Sequence, residues 1–302
     1  MKPAAFGYHR PASVAEALTV LDELGEEAKV LAGGQSLVPL LCLRLATPAH
    51  LVDVNGLADL AYVRVTGDVG RPAVRVGALA RHADVAADRA ARAALPLLAE
   101  ALADVAHPTI RNRGTSVGSL VHADPAGELT AVLAVLGGTV EVARRGGSRV
   151  VAAADFFLGP LESAVGPGEL AVAATFPCPP AGTGSAWLEV ARRHGDYALC
   201  GVAALVTLDD AGRVGAARAG YVSGGPTPVV LDLTDPVVGR PYDAADWAAA
   251  GRLARDHTTP GGDIHASAAY RRALVATLTT RALRRAAERA AVGLADPVRR
   301  PA

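Results

Sequence analysis

Two segments of this 302-residue chain collect glycine, small hydroxyl residues and charge where apolar side chains are scarce. The longer runs from Thr109 to Glu128 and holds two arginines and three glycines. Its middle shows neither a helical nor a strand period, so a loop is expected there. The shorter, Ala32-Gly33-Gly34-Gln35-Ser36, follows a β-prone run, Ala28 to Ala32. Segments like these cannot be folded by their own burial, so the rest of the chain must supply a frame for them. Glycine lets backbone N–H groups approach a ligand with no Cβ in the way, and successive amides in such turns attract anions.

Composition narrows the class. Hydrophobic residues make up 51% of the chain and charged residues 20%, with 30 basic and 30 acidic side chains. That is globular, and the length suits two domains. A balanced charge argues against nucleic acid or a membrane surface as partner. No run reaches the roughly 18 apolar residues of a membrane span. Cys42, Cys178 and Cys200 have no metal-ligand or disulfide spacing, which fits a reduced compartment. Three thiols also cannot supply four thiolates to an iron–sulfur cluster. The N-terminal residues lack a signal peptide's apolar core, so a cytoplasmic protein is expected.

The order of elements predicts an α+β protein. Ser13-Val14-Ala15-Glu16 reads as a capping box opening a helix that stops at Gly25. The strand at residues 28–32, the glycine turn and a second strand, Leu51 to Val54, complete a small α/β unit over about 1–57. Val74 to Ala78 alternates like a strand, and Ala93 to Val105 reads as a helix. Glu128 to Leu136 reads as an apolar helix closed by Gly137-Gly138. Residues 139–142 and 149–152 form a hairpin, and 170–176 a strand. Residues 177–184, with breakers at almost every position, make the linker. Beyond it come strands at 187–191, 198–208 and 214–222, then alanine-rich helices after about 243. Arg271, Arg272, Arg281, Arg284 and Arg285 recur at helical spacing and read as a solvated face.

Alone, Gly33-Gly34 fits a plain tight turn as well as an anion site. It matches neither the Rossmann fingerprint nor the P-loop. The second segment adds the hydroxyls of Thr115, Ser116 and Ser119, the bare backbone of Gly114 and Gly118, and the charges of Arg111 and Arg113. Glu128 suits a ribose or ribitol hydroxyl. Asp124 is expected to cap the helix after Pro125. Two glycine loops of this kind suit a ligand with a diphosphate and several hydroxyls, such as a dinucleotide cofactor.

At these residues the chain resembles a family. Ala32 to Leu41 followed by Leu43-Arg44-Leu45, the 109–128 segment, and Arg192-Arg193-His194-Gly195-Asp196-Tyr197-Ala198 resemble, in order, the first FAD loop, the second FAD loop and the start of the C-terminal domain of the molybdenum hydroxylase flavoprotein subunits. The resemblance implies a two-part FAD-binding domain of the vanillyl-alcohol-oxidase (PCMH) type over 1–177, with subdomains about 1–57 and 58–177. A CO dehydrogenase flavoprotein C-terminal domain of antiparallel sheet plus helices would follow over 184–290. It implies FAD as cofactor, with Ala32, Gly33, Gly34, Gln35 and Ser36 and Thr115, Ser116, Val117, Gly118 and Ser119 around the diphosphate and ribitol. Glu128 would be an acidic contact, Ala171 an apolar one, and Tyr197 an aromatic near the isoalloxazine. It also implies an electron-transfer role, from iron–sulfur clusters through FAD to an external acceptor. The partners would be a large molybdenum-cofactor subunit and a small [2Fe-2S] subunit, as a dimer of heterotrimers. No general acid or base and no metal ligand is assigned in this chain. His107, His122, His194 and His257 read as structural or solvent-exposed.

Two departures stand out. Val117 occupies a position that is glycine in the family and is expected to be strained if φ there is positive. Leu188 falls where some relatives place a flavin-contacting lysine. They give weight to a scaffold that kept the fold and lost FAD; a free-standing flavoprotein oxidoreductase in a biosynthetic pathway, which a catalytic base and a substrate pocket in this chain would favour, is the other alternative.

Overall fold

The computed structural model describes residues 2–68 and 71–295. The N-terminal unit is a three-stranded parallel sheet of β1 (Gly7–His9), β2 (Ala28–Leu31) and β3 (His50–Asp53), in the order β1-β3-β2. Helix α1 (Val14–Leu24) joins β1 to β2. Ser13 Oγ accepts the Glu16 amide at 3.1 Å, as the sequence predicts, while the Glu16 carboxylate reaches one residue further, to the Ala12 amide at 2.8 Å. Gly25 ends the helix at φ 54°. Helix α2 (Leu37–Leu43) joins β2 to β3 and buries only Leu41.

The second unit is a five-stranded antiparallel sheet ordered β4-β5-β10-β6-β7. Its first two strands are β4 (Val63–Thr66) and β5 (Ala73–Gly77). A helical excursion follows: α3 (His82–Ala87), α4 (Arg89–Ala94), α5 (Pro96–Asp104), α6 (Pro108–Arg111), α7 (Ser116–His122) and α8 (Glu128–Val135). The hairpin β6 (Thr139–Arg144) and β7 (Gly147–Ala152) has the expected register, Thr139 opposite Ala152. After α9 (Ala153–Phe156), β8 (Phe157–Gly159) and β9 (Glu162–Ser163), β10 (Glu169–Pro177) returns to the middle of the sheet between β5 and β6.

The C-terminal unit is the antiparallel sheet β11 (Thr183–Val190), β12 (Cys200–Leu208), β13 (Val214–Val222) and β14 (Val229–Asp232), in that order. Helices α10 (Trp247–Asp256) and α11 (Ala268–Ala295) cover one face. The other face packs on the second unit: Trp187, Ala203, Leu205 and Val222 belong to the same buried cluster as α5 and α8. Sheets covered on one side alternate in polarity, whereas β12 is covered on both and reads as an unbroken apolar run. Helix α8 is buried over nearly its whole length because it packs on the C-terminal sheet and on helices α5 and α7.

Polar contacts lock this junction. The Trp187 indole N–H donates to Asp104 at 3.0 Å, and Arg289 pairs with Glu100 at 2.7 Å. The Ser223 amide donates to the Pro125 carbonyl at 2.8 Å, seating residues 123–128 on the C-terminal sheet. Of the five arginines read as a solvated face, Arg271 departs. It is buried, donating to the Leu199 carbonyl at 2.9 Å and to Asp263 at 2.6 Å.

Candidate functional site

The two glycine segments meet. A Cβ placed on Gly33 would lie 2.5 Å from the Arg113 carbonyl oxygen and 2.8 Å from the Gly114 Cα. Only glycine allows this approach, and Gly34 beside it holds φ 74°. The Gln35 side chain folds back onto the Gly33 carbonyl at 3.0 Å. Among the described residues, the amides of Gly33, Gly34, Gln35 and Ser36 donate to no protein acceptor. Four successive free N–H groups around a glycine turn form an anion-binding concavity.

The second segment is not the loop expected. Thr115 caps α7, its Oγ1 accepting the Gly118 amide at 3.2 Å, and Val117 and Leu120 are buried against the core. A seven-residue helix spans two turns, too short for its period to stand out from a sequence. This changes which groups face a ligand. Thr115 is 3% exposed with its Oγ1 turned to the cap, and Ser116, fully buried, bonds the ring of His82 at 3.2 Å. Burial, then the charge of Arg111, pushes the His82 pKa down to about 4, so the pair is neutral at physiological pH. Arg111 closes the preceding turn through the carbonyls of Val105 and Ala106, at 2.8 and 2.9 Å. Of the groups expected to contact an anion here, Gly118 and Ser119 are part-exposed and the exposed Arg113 side chain makes no hydrogen bond among the described residues. Val117 is the second residue of α7 with an ordinary helical backbone and is 1% exposed, so the strain expected of it does not exist.

A cleft lined by Asp104, Glu189, Arg192, Arg193 and His194 opens where the second and C-terminal units join, and Glu128 stands close to it. Glu128 starts α8, is 7% exposed and bonds no other described side chain. Burial, with Asp104 and Asp124 nearby, pushes its pKa up to about 7. Asp124 does not cap α8. It closes a turn onto the Ala126 amide at 2.8 Å, and Gly127 is the N-cap residue. From the C-terminal unit, Tyr197 stands 70% exposed on the β11–β12 connection. Its hydroxyl, partly desolvated and in the field of Asp124 and Glu128, has its pKa pushed up. Ala171 is buried in β10, beside the Val172 carbonyl that accepts the Ala78 amide at 2.9 Å.

Strand alternation also corrects the reading of Leu188. Leu188 packs with the second core, while Trp187, on the opposite face, enters the main core and Glu189, two residues on, lines the cleft. Glu189 Oε2 is buried with no partner. Burial, then Glu128 and Asp104, pushes its pKa up to about 9, so the group is a neutral acid at physiological pH. The Trp-x-Glu spacing on a predicted strand was the available signal for it.

The comparisons decide the family. The profile described as FAD binding domain in molybdopterin dehydrogenase matches residues 4–179, and that of the CO dehydrogenase flavoprotein C-terminal domain matches 185–286. The chain belongs to the FAD-binding subunits of the molybdopterin dehydrogenases. It is 40% identical to the 6-hydroxypseudooxynicotine dehydrogenase complex subunit alpha of Paenarthrobacter nicotinovorans, over 96% of this chain and 97% of that one. It is 37% identical to the carbon monoxide dehydrogenase medium chain of Afipia carboxidovorans, over 96% and 99%. Among solved structures it superposes on a chain of Cu,Mo-CO dehydrogenase with a TM-score of 0.88 at 36% identity, covering 96% and 100%. As a FAD-binding subunit of this family the protein is an oxidoreductase chain, and its cofactor is FAD. The groups present fit such a cofactor: free amides for a diphosphate and a buried, unpaired carboxyl for a sugar-chain hydroxyl. Among the described residues no helix is long and apolar enough to cross a membrane.

Proposed function

We propose that this chain is the electron-transfer subunit of a cytoplasmic molybdenum-containing hydroxylase or dehydrogenase, with FAD held between two loops and a domain cleft. The observation that carries the reading is the run of four free amides at Gly33–Ser36, set against the second loop in a chain of this family. Ala32–Ser36 holds the diphosphate through backbone N–H groups. Within Thr115–Ser119, Gly118 and Ser119 face the ligand. Thr115, Ser116 and Val117 shape the α7 turn from behind. Glu128 accepts from a ribitol or ribose hydroxyl, Ala171 backs the site, and Tyr197 stands beside the isoalloxazine. Bound FAD supplies the redox chemistry, and the protein supplies position and electrostatics. The FAD-binding domain extends over 1–177 and the C-terminal domain over 184–290.

No second redox centre is assigned to this chain, so partners must hold the rest: a large molybdenum-cofactor subunit and a small [2Fe-2S] subunit, arranged as a dimer of heterotrimers. Relatives named as a subunit of a dehydrogenase complex and as a medium chain support that assembly. The scaffold alternative loses its main support, because Val117 is unstrained.

Purification of the full chain tests both halves. The isolated protein is expected to be yellow, with absorbance bands at about 370 and 450 nm. Tagged in its native host, it is expected to bring down an iron–sulfur and a molybdenum polypeptide. A colourless chain that takes up no FAD would refute the cofactor assignment, and a catalytically competent flavoprotein without partners would refute the assembly.

A further inference from the structure

Two polar side chains outside both loops connect them. Asn55, just after β3, donates through Nδ2 to the Ala32 carbonyl at 2.7 Å, and so grips the first loop at its root. Its Oδ1 accepts from Arg81 Nη2 at 2.8 Å. Arg81, just before α3, donates through Nη1 to the Arg113 carbonyl at 2.6 Å. That is the carbonyl a Cβ on Gly33 would strike. Asn55 is itself fixed by Asp53, whose Oδ1 accepts both its backbone and side-chain N–H groups at 2.9 and 2.7 Å. Tyr8 in β1 donates to the other oxygen of Asp53.

We propose that Asn55 and Arg81 form a clamp that sets the spacing of the two FAD loops, by binding one carbonyl from each loop and each other. This rests on the reading of those loops as the FAD cradle. The clamp occupies carbonyl oxygens and leaves N–H groups free, so the surface between the loops is rich in donors. It also sets the guanidinium of Arg81 near that of Arg113. Burial, then the Arg113 charge, holds the Arg81 pKa below its usual value, and a bound anion relieves that repulsion. Asn55 and Arg81 are positioning residues: they act on the cofactor through the backbone they hold.

The test uses the full chain, stripped of flavin and titrated with FAD by fluorescence quenching, alongside thermal melting of the apoprotein. Asn55→Ala and Arg81→Lys are each expected to raise the FAD dissociation constant about tenfold, the loss of roughly one directed hydrogen bond to a charged group. The double variant is expected to bind little worse than either single one, because both cut the same bridge. Apoprotein melting is expected to stay within about 3 °C of wild type, as for a change confined to the loops. Wild-type affinity in both variants overturns the proposal. So does a large drop in apoprotein melting with effects that multiply in the pair, which marks two independent structural contacts. Arg81→Lys alone carries the test if Asn55→Ala does not fold. A wild-type chain that takes up no FAD overturns the cradle reading and the clamp together. Wild-type binding with unaltered variants overturns the clamp alone.

Discussion

Gly33→Ala is expected to weaken FAD binding roughly ten- to hundredfold while leaving the chain folded. The added Cβ would sit 2.5 Å from the Arg113 carbonyl oxygen and 2.8 Å from the Gly114 Cα, both backbone atoms. No side chain can swing aside, so the two loops must part by about an ångström. Overpacking of this kind costs about 1–3 kcal/mol, and each 1.4 kcal/mol taken from binding is a factor of ten. Most of the cost is expected in binding, because the first loop has little of its own burial to lose. The measurement is an FAD titration of the stripped chain, paired with apoprotein melting. Gly34→Ala puts a Cβ at φ 74° in the same turn and is expected to act in the same direction through backbone strain.

Val117→Gly is expected to destabilise the protein by about 2–4 kcal/mol, although the resemblance implies glycine at this position. Val117 is 1% exposed on the second residue of α7 and packs in the main core. Its removal loses buried methyl groups and leaves a void, and glycine adds a helix penalty of its own. For a unit of this size the loss corresponds to a melting shift of roughly 5–15 °C. Strain at Val117, the expectation that followed from the resemblance, would instead be relieved by glycine and FAD binding tightened. The two accounts separate cleanly in a urea denaturation series. A lower midpoint with no gain in FAD affinity supports the helical placement of Val117, and a stable variant with tighter FAD contradicts it.

The strong patterns were legible in the sequence. The helix cap at Ser13, the hairpin at 139–152, the breaker-rich segment before β11 and the strand at Val214–Val222 all occur where pattern and turn chemistry placed them. Short elements were not. Three-residue β1 is held by its parallel pairing to β3 across some 40 residues of chain, and no local pattern announces it. Helices α2 and α7 have seven residues each, and α2 has apolar residues at every position, so neither shows a face. In the site, the residue types pointed to two segments that the fold brings together, while the local hydrogen bonding within them was not legible. Thr115 and Ser116 read as ligand donors, yet both are buried, Thr115 Oγ1 accepting the Gly118 amide and Ser116 bonded to the ring of His82. Asn55 and Arg81 left no signal, because they act on backbone carbonyls of distant loops. Glu189 was one position from the residue singled out, and only the alternation of a strand buried on both faces shows that it, and not Leu188, meets the cleft.

The central claim is that Gly33–Ser36 and the start of α7 hold one FAD between them. Amide hydrogen exchange of the stripped chain, with and without saturating FAD, measures this at the atoms concerned, because the four free N–H groups gain acceptors only when the diphosphate is present. Peptides spanning 32–36 and 113–119 are predicted to slow together on FAD addition, with the largest change in the first. FAD binding that leaves both segments exchanging as before, with protection elsewhere in the chain, would contradict the account.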